Sequence, residues 1–267
     1  CDLAQPGGHM SDGVTLEKDG AIATVILSNP KRLNAMTPKM WQELKSCMDQ
    51  ASSDDDIRCV VLRGDGQNFV SGADISVFDR ERADGAQARE YGERTHAAIA
   101  SVRGCRHPTI ALIEGVCVGG GMEIASVCDI RVCGESSRFG ITSNRLGLAY
   151  GHEELHDLIA ICGRAFTLEI MLEGRVFGAE EAAAKGFLHR IVADTEVADE
   201  AFERARHIAR RAPLANRWHK AAILRLENPA PISQEDADSG FDLFDSKDYR
   251  EGVRAFMEKR TAEFNGR

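Results

Sequence analysis

Three glycines and a glutamate stand close together at Gly119-Gly120-Gly121-Met122-Glu123. They lie between an apolar run, Thr109-Ile110-Ala111-Leu112-Ile113, and an apolar helical stretch, Ile124-Ala125-Ser126-Val127. A strand that passes through glycines into a helix start presents unpaired backbone N–H groups at the positive end of the helix dipole. Glycine carries no Cβ, so a ligand atom can approach that backbone closely. Such a place suits an oxygen that becomes negative during a reaction. Glu123 is near enough in sequence to share the site and carry a proton. A second apolar stretch, Cys59-Val60-Val61-Leu62, leads to Phe69-Val70-Ser71-Gly72-Ala73-Asp74-Ile75, again a strand followed by a Gly-containing turn. Two turns of this kind can each give one N–H to the same oxygen.

The pair Ser71-Gly72-Ala73-Asp74-Ile75 and Glu114-Gly115-Val116-Cys117-Val118-Gly119-Gly120-Gly121-Met122-Glu123-Ile124-Ala125 resembles the crotonase (enoyl-CoA hydratase/isomerase) superfamily. The likeness runs from about Val14 to the C-terminus. It takes in Asn29-Pro30 with Asn34-Ala35-Met36, Cys128-Asp129-Ile130-Arg131, Phe139-Gly140 and the closing run Glu251 to Arg260. Order and spacing together are specific for the superfamily, not for one reaction. The resemblance implies an α/β fold: a spiral of ββα units over 10–205 with a C-terminal helical trimerisation region over 206–267. It implies an acyl-CoA thioester as substrate, with coenzyme A part of that substrate and no separate cofactor or metal. The backbone amides of Ala73 and Gly120 would hold the thioester oxygen. Glu123 matches one of the two glutamates of the hydratases. Lys31, Arg32, Leu33, Ala73, Asp74, Ile75 and Lys259 would contact the CoA portion, and the chain would assemble as a homotrimer or a dimer of trimers.

Two departures stand out. Where hydratases carry their second glutamate, this chain has Ser143, in Phe139-Gly140-Ile141-Thr142-Ser143-Asn144. A serine at its ordinary pKa holds a water or a substrate group but does not exchange protons as a carboxylate does. Relatives then read Gly-x-x-Pro-Gly-x-Gly-Gly-Thr, and here the loop is Gly147-Leu148-Ala149-Tyr150-Gly151-His152-Glu153-Glu154-Leu155. Tyr150, His152, Glu153 and Glu154 are the residues available to replace the missing acid. Against that stand ordinary roles: helix-start carboxylates for the glutamates, a surface histidine, a pocket-lining tyrosine. The expected activity is a hydratase-like lyase with one of the two usual glutamates. Isomerisation, decarboxylation of a malonyl-type thioester and thioester hydrolysis are the alternatives, and an acyl-CoA-binding pseudoenzyme is the alternative of another class.

The elements that must position these residues follow from the pattern. Val14–Lys18, Asp19-Gly20 and Ala21–Leu27 predict a hairpin with a tight turn. Thr37-Pro38 starts a helix that buries Met40, Trp41, Leu44 and Met48. Strands are expected at 57–63, 109–113, 130–133, 139–141 and 188–192. Helices are expected from Gly120 and at 153–162 (ended by Gly163), 166–173 and 179–185, then to the end of the chain. Residues 76–107 are polar, with helical content at His96–Val102. Asp74 after the Ala73 turn reads best as a local cap.

The formal net charge of −9 argues against a nucleic-acid surface. Attraction to the CoA phosphates must then be local, at Lys31-Arg32 and Lys259-Arg260, which otherwise are solvated pairs. Eight cysteines without a CxxC pair read as reduced thiols of a cytoplasmic protein. No apolar run reaches the roughly 20 residues of a membrane span. Residues 1–9, with Gly7-Gly8-His9, read as the remnant of an appended tag, and no basic-then-apolar leader is present.

Overall fold

The computed structural model describes residues 12–267; the expectation for residues 1–9 lies outside them. Strands β1 (Gly13–Asp19) and β2 (Ile22–Ser28) form the expected antiparallel hairpin, with Gly20 at φ +57° in its turn. Helix α1 (Pro38–Ser53) starts as its capping sequence demands: Thr37 Oγ1 accepts from the Met40 amide, and proline fills the first position. It buries Met40, Trp41, Leu44 and Met48. Strand β3 (Cys59–Gly64) follows, then a 3-10 turn (Ile75–Val77) and the single turn α2 (Phe78–Glu81).

Helix α3 (Gly85–Arg103) is longer than the sequence pattern predicted. Helix was expected only at His96–Val102, because the charged outer face masks the period of the first three turns. The inner face is regular: Tyr91, Thr95, Ala98, Ile99 and Val102 are buried, and Asp84 caps the start by accepting from the amides of Ala86 and Gln87. The chain continues through β4 (Thr109–Ile113), β5 (Val116–Val118), α4 (Gly120–Ser126), β6 (Ile130–Gly134) and β7 (Arg138–Gly140). Next come α5 (His152–Glu173), β8 (Val176–Gly178), α6 (Ala179–Ala184) and β9 (Arg190–Val192). Helices α7 (Val197–Ala209), α8 (Pro213–Glu227), α9 (Gln234–Asp238) and α10 (Lys247–Met257) close the chain. The two helices expected at 153–162 and 166–173 form one run broken at Gly163, whose φ of 72° and ψ of 160° are not helical. Strands β5 and β8 were not anticipated.

The main sheet has the order β1-β2-β3-β4-β6-β9, parallel from β2 onward. Alternate side chains serve opposite faces. Val60, Leu62, Ala111 and Ile113 join the core with Trp41 and Met40, while Cys59, Val61, Ile110 and Leu112 pack under α7. Both faces of a parallel sheet are thereby covered. A smaller sheet, β5-β7-β8, lies beside it. This succession of strand pairs and helices is the α/β spiral that the sequence implied. The C-terminal helices are fastened to the core: Arg58 donates to the carbonyls of Ala209 and Phe264, and Lys220 pairs with Asp129 at 2.8 Å. They also leave a concavity of about 760 Å³ lined by aromatic residues, among them Trp218, Phe241 and Phe256, and Phe256 is 82% exposed. No helix among the described residues is long and apolar enough to cross a membrane. Their seven cysteines are all free thiols.

Candidate active site

The site begins with two bends held side by side. The Met36 amide donates to the Gly72 carbonyl at 2.8 Å, and the Asp74 amide donates to the Met36 carbonyl at 2.9 Å. These bonds grip the chain on either side of Ala73 and turn its own N–H away from Met36. The second bend is gripped likewise. The Val70 amide donates to the Val116 carbonyl, the Val118 amide to the Val70 carbonyl, and the Gly119 amide to the Gly140 carbonyl. Gly119 takes φ +54° and ψ −120°, a conformation costly for any residue with a Cβ. Gly120 is then the first residue of α4, where no intrahelical acceptor exists for its N–H. Among the described residues, neither the Ala73 amide nor the Gly120 amide is donated to a protein acceptor. A methyl placed on Gly72 would lie 3.9 Å from the Gly120 nitrogen, and one on Gly120 would lie 3.8 Å from the Gly72 carbonyl carbon. The two bends therefore abut.

The glycines also answer a packing demand. A methyl on Gly121 would lie 2.2 Å from the Val70 carbonyl oxygen, and one on Gly120 would press on the Trp41 ring at 3.1 Å. The run that frees one amide thus lets α4 seat directly on the neighbouring chain.

Glu123 sits in the first turn of α4, inside a cleft of about 560 Å³ that Ala73, Gly120, Ser143 and Tyr150 also line. Burial raises its carboxyl to about 7; the neighbouring Tyr150 hydroxyl and the charges of Arg82 and His96 oppose the rise, and the charge of Glu154 adds to it. A carboxyl poised near neutrality can take a proton or give one. Burial, and then the Glu123 carboxylate, push the Tyr150 phenol well above its ordinary range. Tyr150 approaches the amide bend as well: its hydroxyl would lie 3.8 Å from a methyl on Gly119. The Ser143 hydroxyl opens a 3-10 turn (Ser143–Leu146) and is buried without a hydrogen-bond partner.

The four candidates for the missing acid separate. Tyr150 and Glu154 line the cleft, whereas His152 and Glu153 are exposed. Glu154 is 9% exposed and meets His96 with its Oε1 2.6 Å from Nε2. Helix α3 also brings residues that the sequence did not single out. His96 and Tyr91 line the cleft with Arg82, whose guanidinium lies 4.4 Å from the centre of the Tyr91 ring. Their signal was present in the helical spacing of Tyr91, Thr95 and Ala98, which places His96 beside a buried face.

The proposed CoA contacts gather in part. Ser71 donates its amide to the Leu33 carbonyl, so the segment Lys31-Arg32-Leu33 borders the Ala73 bend. Arg32 pairs with Asp74 at 2.7 Å. Burial alone would raise the Asp74 carboxyl, but hydrogen bonds from Ser76 and the Arg32 guanidinium outweigh it and hold it below the usual range. Asp74 is therefore the cap of the following turn, as its local reading had it. Leu33 and Ile75 are exposed at the rim, and Lys31 is exposed. Lys259, past α10 with φ +54°, does not line the cleft of its own chain.

Compared with known proteins, residues 17–267 match the model of the enoyl-CoA hydratase/isomerase family. The chain belongs to that family. It is 32% identical over 260 residues to a putative enoyl-CoA hydratase of Thermus thermophilus, covering 94% of this chain and all of that one. It is 30% identical to the 1,2-epoxyphenylacetyl-CoA isomerase of Escherichia coli, covering 97% of this chain and all of that one. Among solved structures, it superposes with a TM-score of 0.94 on an enoyl-CoA hydratase/carnithine racemase from Magnetospirillum magneticum. That protein is 43% identical, with 97% of each chain covered. A putative enoyl-CoA hydratase/isomerase family protein from Hyphomonas neptunium superposes with a TM-score of 0.93 at 32% identity, covering 97% of this chain and all of that one. The chain is thus an enzyme of the enoyl-CoA hydratase/isomerase family with the crotonase fold. Within this family, names of hydratases and of an isomerase occur at nearly equal identity, so overall likeness does not choose the reaction.

Proposed function

We propose that the protein processes an acyl-CoA thioester through an enolate whose oxygen is held by the amides of Ala73 and Gly120, and that it acts as a hydratase-like lyase. The observation that carries this reading is the pair of undonated amides on abutting bends, with a carboxyl near neutrality in the same cleft. Two N–H groups on the thioester oxygen make the α-proton more acidic, because the charge that arrives there is met by donors already in place. Glu123 then exchanges the proton at the α-carbon. Lys31, Arg32, Leu33 and Ile75 contact the CoA portion at the rim, with Asp74 acting through Arg32. Lys259 contributes from a second copy in a homotrimer or dimer of trimers, an assembly to which the exposed Phe256 and Met257 are suited. The free thiols fit a cytoplasmic enzyme.

Isomerisation is the second reading, favoured by Ser143: moving a double bond needs one proton carrier and the enolate site. The test is the loss of conjugated thioester absorbance with crotonyl-CoA and longer 2-enoyl-CoAs. Turnover falling by about 100- to 10,000-fold in Glu123→Gln is the expected result. The logarithm of kcat/KM should bend near pH 7, where Glu123 titrates. Tight binding of the whole panel of thioesters without turnover would leave an acyl-CoA-binding protein instead.

A further inference from the structure

The cleft holds a second carboxylate at a place where the family motif has none. Glu154 is the third residue of α5, and its neighbour Glu153 points to solvent. Helix-start glutamates normally sit in water near the dipole, yet Glu154 is buried. One of its oxygens is fixed by His96, 2.6 Å away. The other, Oε2, is buried and has no hydrogen-bond partner. Buried polar atoms in folded proteins are nearly always paired, and those that are not call for an explanation. Gly151 makes the arrangement possible: a methyl there would lie 2.5 Å from Oε2 and 3.5 Å from His96 Nε2. The Ser143 hydroxyl, in the same cleft, is also unpartnered. The residues that carry three kinds of unpartnered polar group therefore line one cleft: Ala73 and Gly120 with their amides, Ser143 with its hydroxyl and Glu154 with a carboxylate oxygen.

We infer that Glu154, positioned by His96, is the second proton-transferring carboxyl of this cleft and acts on the water that adds to the β-carbon. This deepens the hydratase reading and rests on it. In hydration of a 2-enoyl thioester, the Glu154 carboxylate takes a proton from water while the water oxygen bonds to the β-carbon. The π electrons of the double bond move to the thioester oxygen at the amides of Ala73 and Gly120. The enolate then returns an electron pair to the α-carbon, which takes the proton of Glu123. One water is consumed, one C–O and one C–H bond form, and the C=C π bond is lost. The proton left on Glu154 goes to solvent through the open cleft, and Glu123 regains one from solvent. His96 is a positioning residue: it holds one carboxylate oxygen so that the other faces the reacting water. Ser143 helps to hold that water.

The experiment separates the two carboxyls by two reactions on the full-length protein. Exchange of the α-protons of butyryl-CoA in D₂O needs the amides and Glu123 but no water at the β-carbon. Hydration of crotonyl-CoA needs both carboxyls. Glu154→Gln is expected to lower the kcat of hydration at least 100-fold while leaving α-proton exchange within threefold of the parent. Glu123→Gln should lose both. His96→Leu should lower kcat about tenfold with KM unchanged, and His96→Gln, which keeps a donor, should recover most of that loss. Thermal melts of each variant establish that it is folded. Hydration by Glu154→Gln within threefold of the parent overturns the inference, as does a change confined to KM. So does a parallel loss of α-proton exchange, and so does a parent enzyme that exchanges the α-protons yet hydrates no 2-enoyl-CoA. Undiminished α-proton exchange in Glu123→Gln defeats the broader hydratase reading instead, and is told apart by the reaction in which it appears.

Discussion

The two walls of the cleft are built by opposite means. One wall is main chain: the bends at Ala73 and Gly120 are gripped by backbone hydrogen bonds on both sides, and glycine geometry leaves their amides free. The other wall is side chain: Tyr150 comes from the loop before α5, Glu154 from its first turn, His96 from α3 and Arg82 from the end of α2. The first wall tolerates no substitution of Gly121, because a Cβ would enter the Val70 carbonyl. The second has already departed from the family pattern at Ser143 and through Gly147–Leu155. Main-chain chemistry is fixed by the fold itself, while side-chain chemistry can be moved from one element to another.

The contrast is broken most directly at the first wall. Gly120→Pro deletes the amide at a helix position that accepts proline, and its Cβ meets the Trp41 ring at 3.1 Å, so that ring must give by a few tenths of an ångström. Turnover of the preferred enoyl-CoA should fall about 100- to 1,000-fold, with an unchanged circular dichroism spectrum. Turnover within tenfold of the parent would remove that amide from the chemistry.

At the junction of the walls, Glu123→Gln should stabilise the protein in alkali. The folded carboxyl titrates at about 7 against an ordinary 4.5, so its contribution is fully present below 4.5 and is lost as pH rises through 7. Relative to the parent, the variant should gain about 3 kcal/mol at pH 8 and nothing at pH 4. Urea midpoints at the two pH values measure this, and equal gains at both would show that the carboxyl is not held neutral by burial.

The second wall should be rebuildable. Ser143→Glu placed in the Glu154→Gln background should recover about tenfold of the lost hydration, because a carboxyl returns to the same space by another route. No recovery would tie the function to the His96-held position alone. The smallest effect belongs to the rim. Lys259→Glu should weaken CoA-ester binding about threefold at low salt and less at high salt, as screening removes the charge effect. An unchanged dissociation constant at low salt would remove Lys259 from the binding surface.

Much of the fold was legible because it rests on local signals. The Asp19-Gly20 turn, the Thr37-Pro38 cap and the parallel strands each announce themselves within a few residues. Strands β5 and β8 did not, since three residues carry no period and owe their existence to partners far along the chain. The first half of α3 was hidden by its charged outer face. At the site, the Ala73 and Gly120 bends were legible because their glycines state a backbone requirement. Glu153 and Glu154 could not be told apart: adjacent helix-start glutamates look alike until His96 and Gly151, from separate segments, decide which is enclosed.

The break at Gly163 divides α5 into two parts with separate obligations. Beyond it, Phe166 and Ile170 are locked into the core; before it, Leu158 is held there too, and only the first turn, which carries Glu154 after the cap Gly151, borders the cleft. Changes confined to that first turn, ahead of Leu158, therefore reshape the cleft while the remainder of the helix stays anchored.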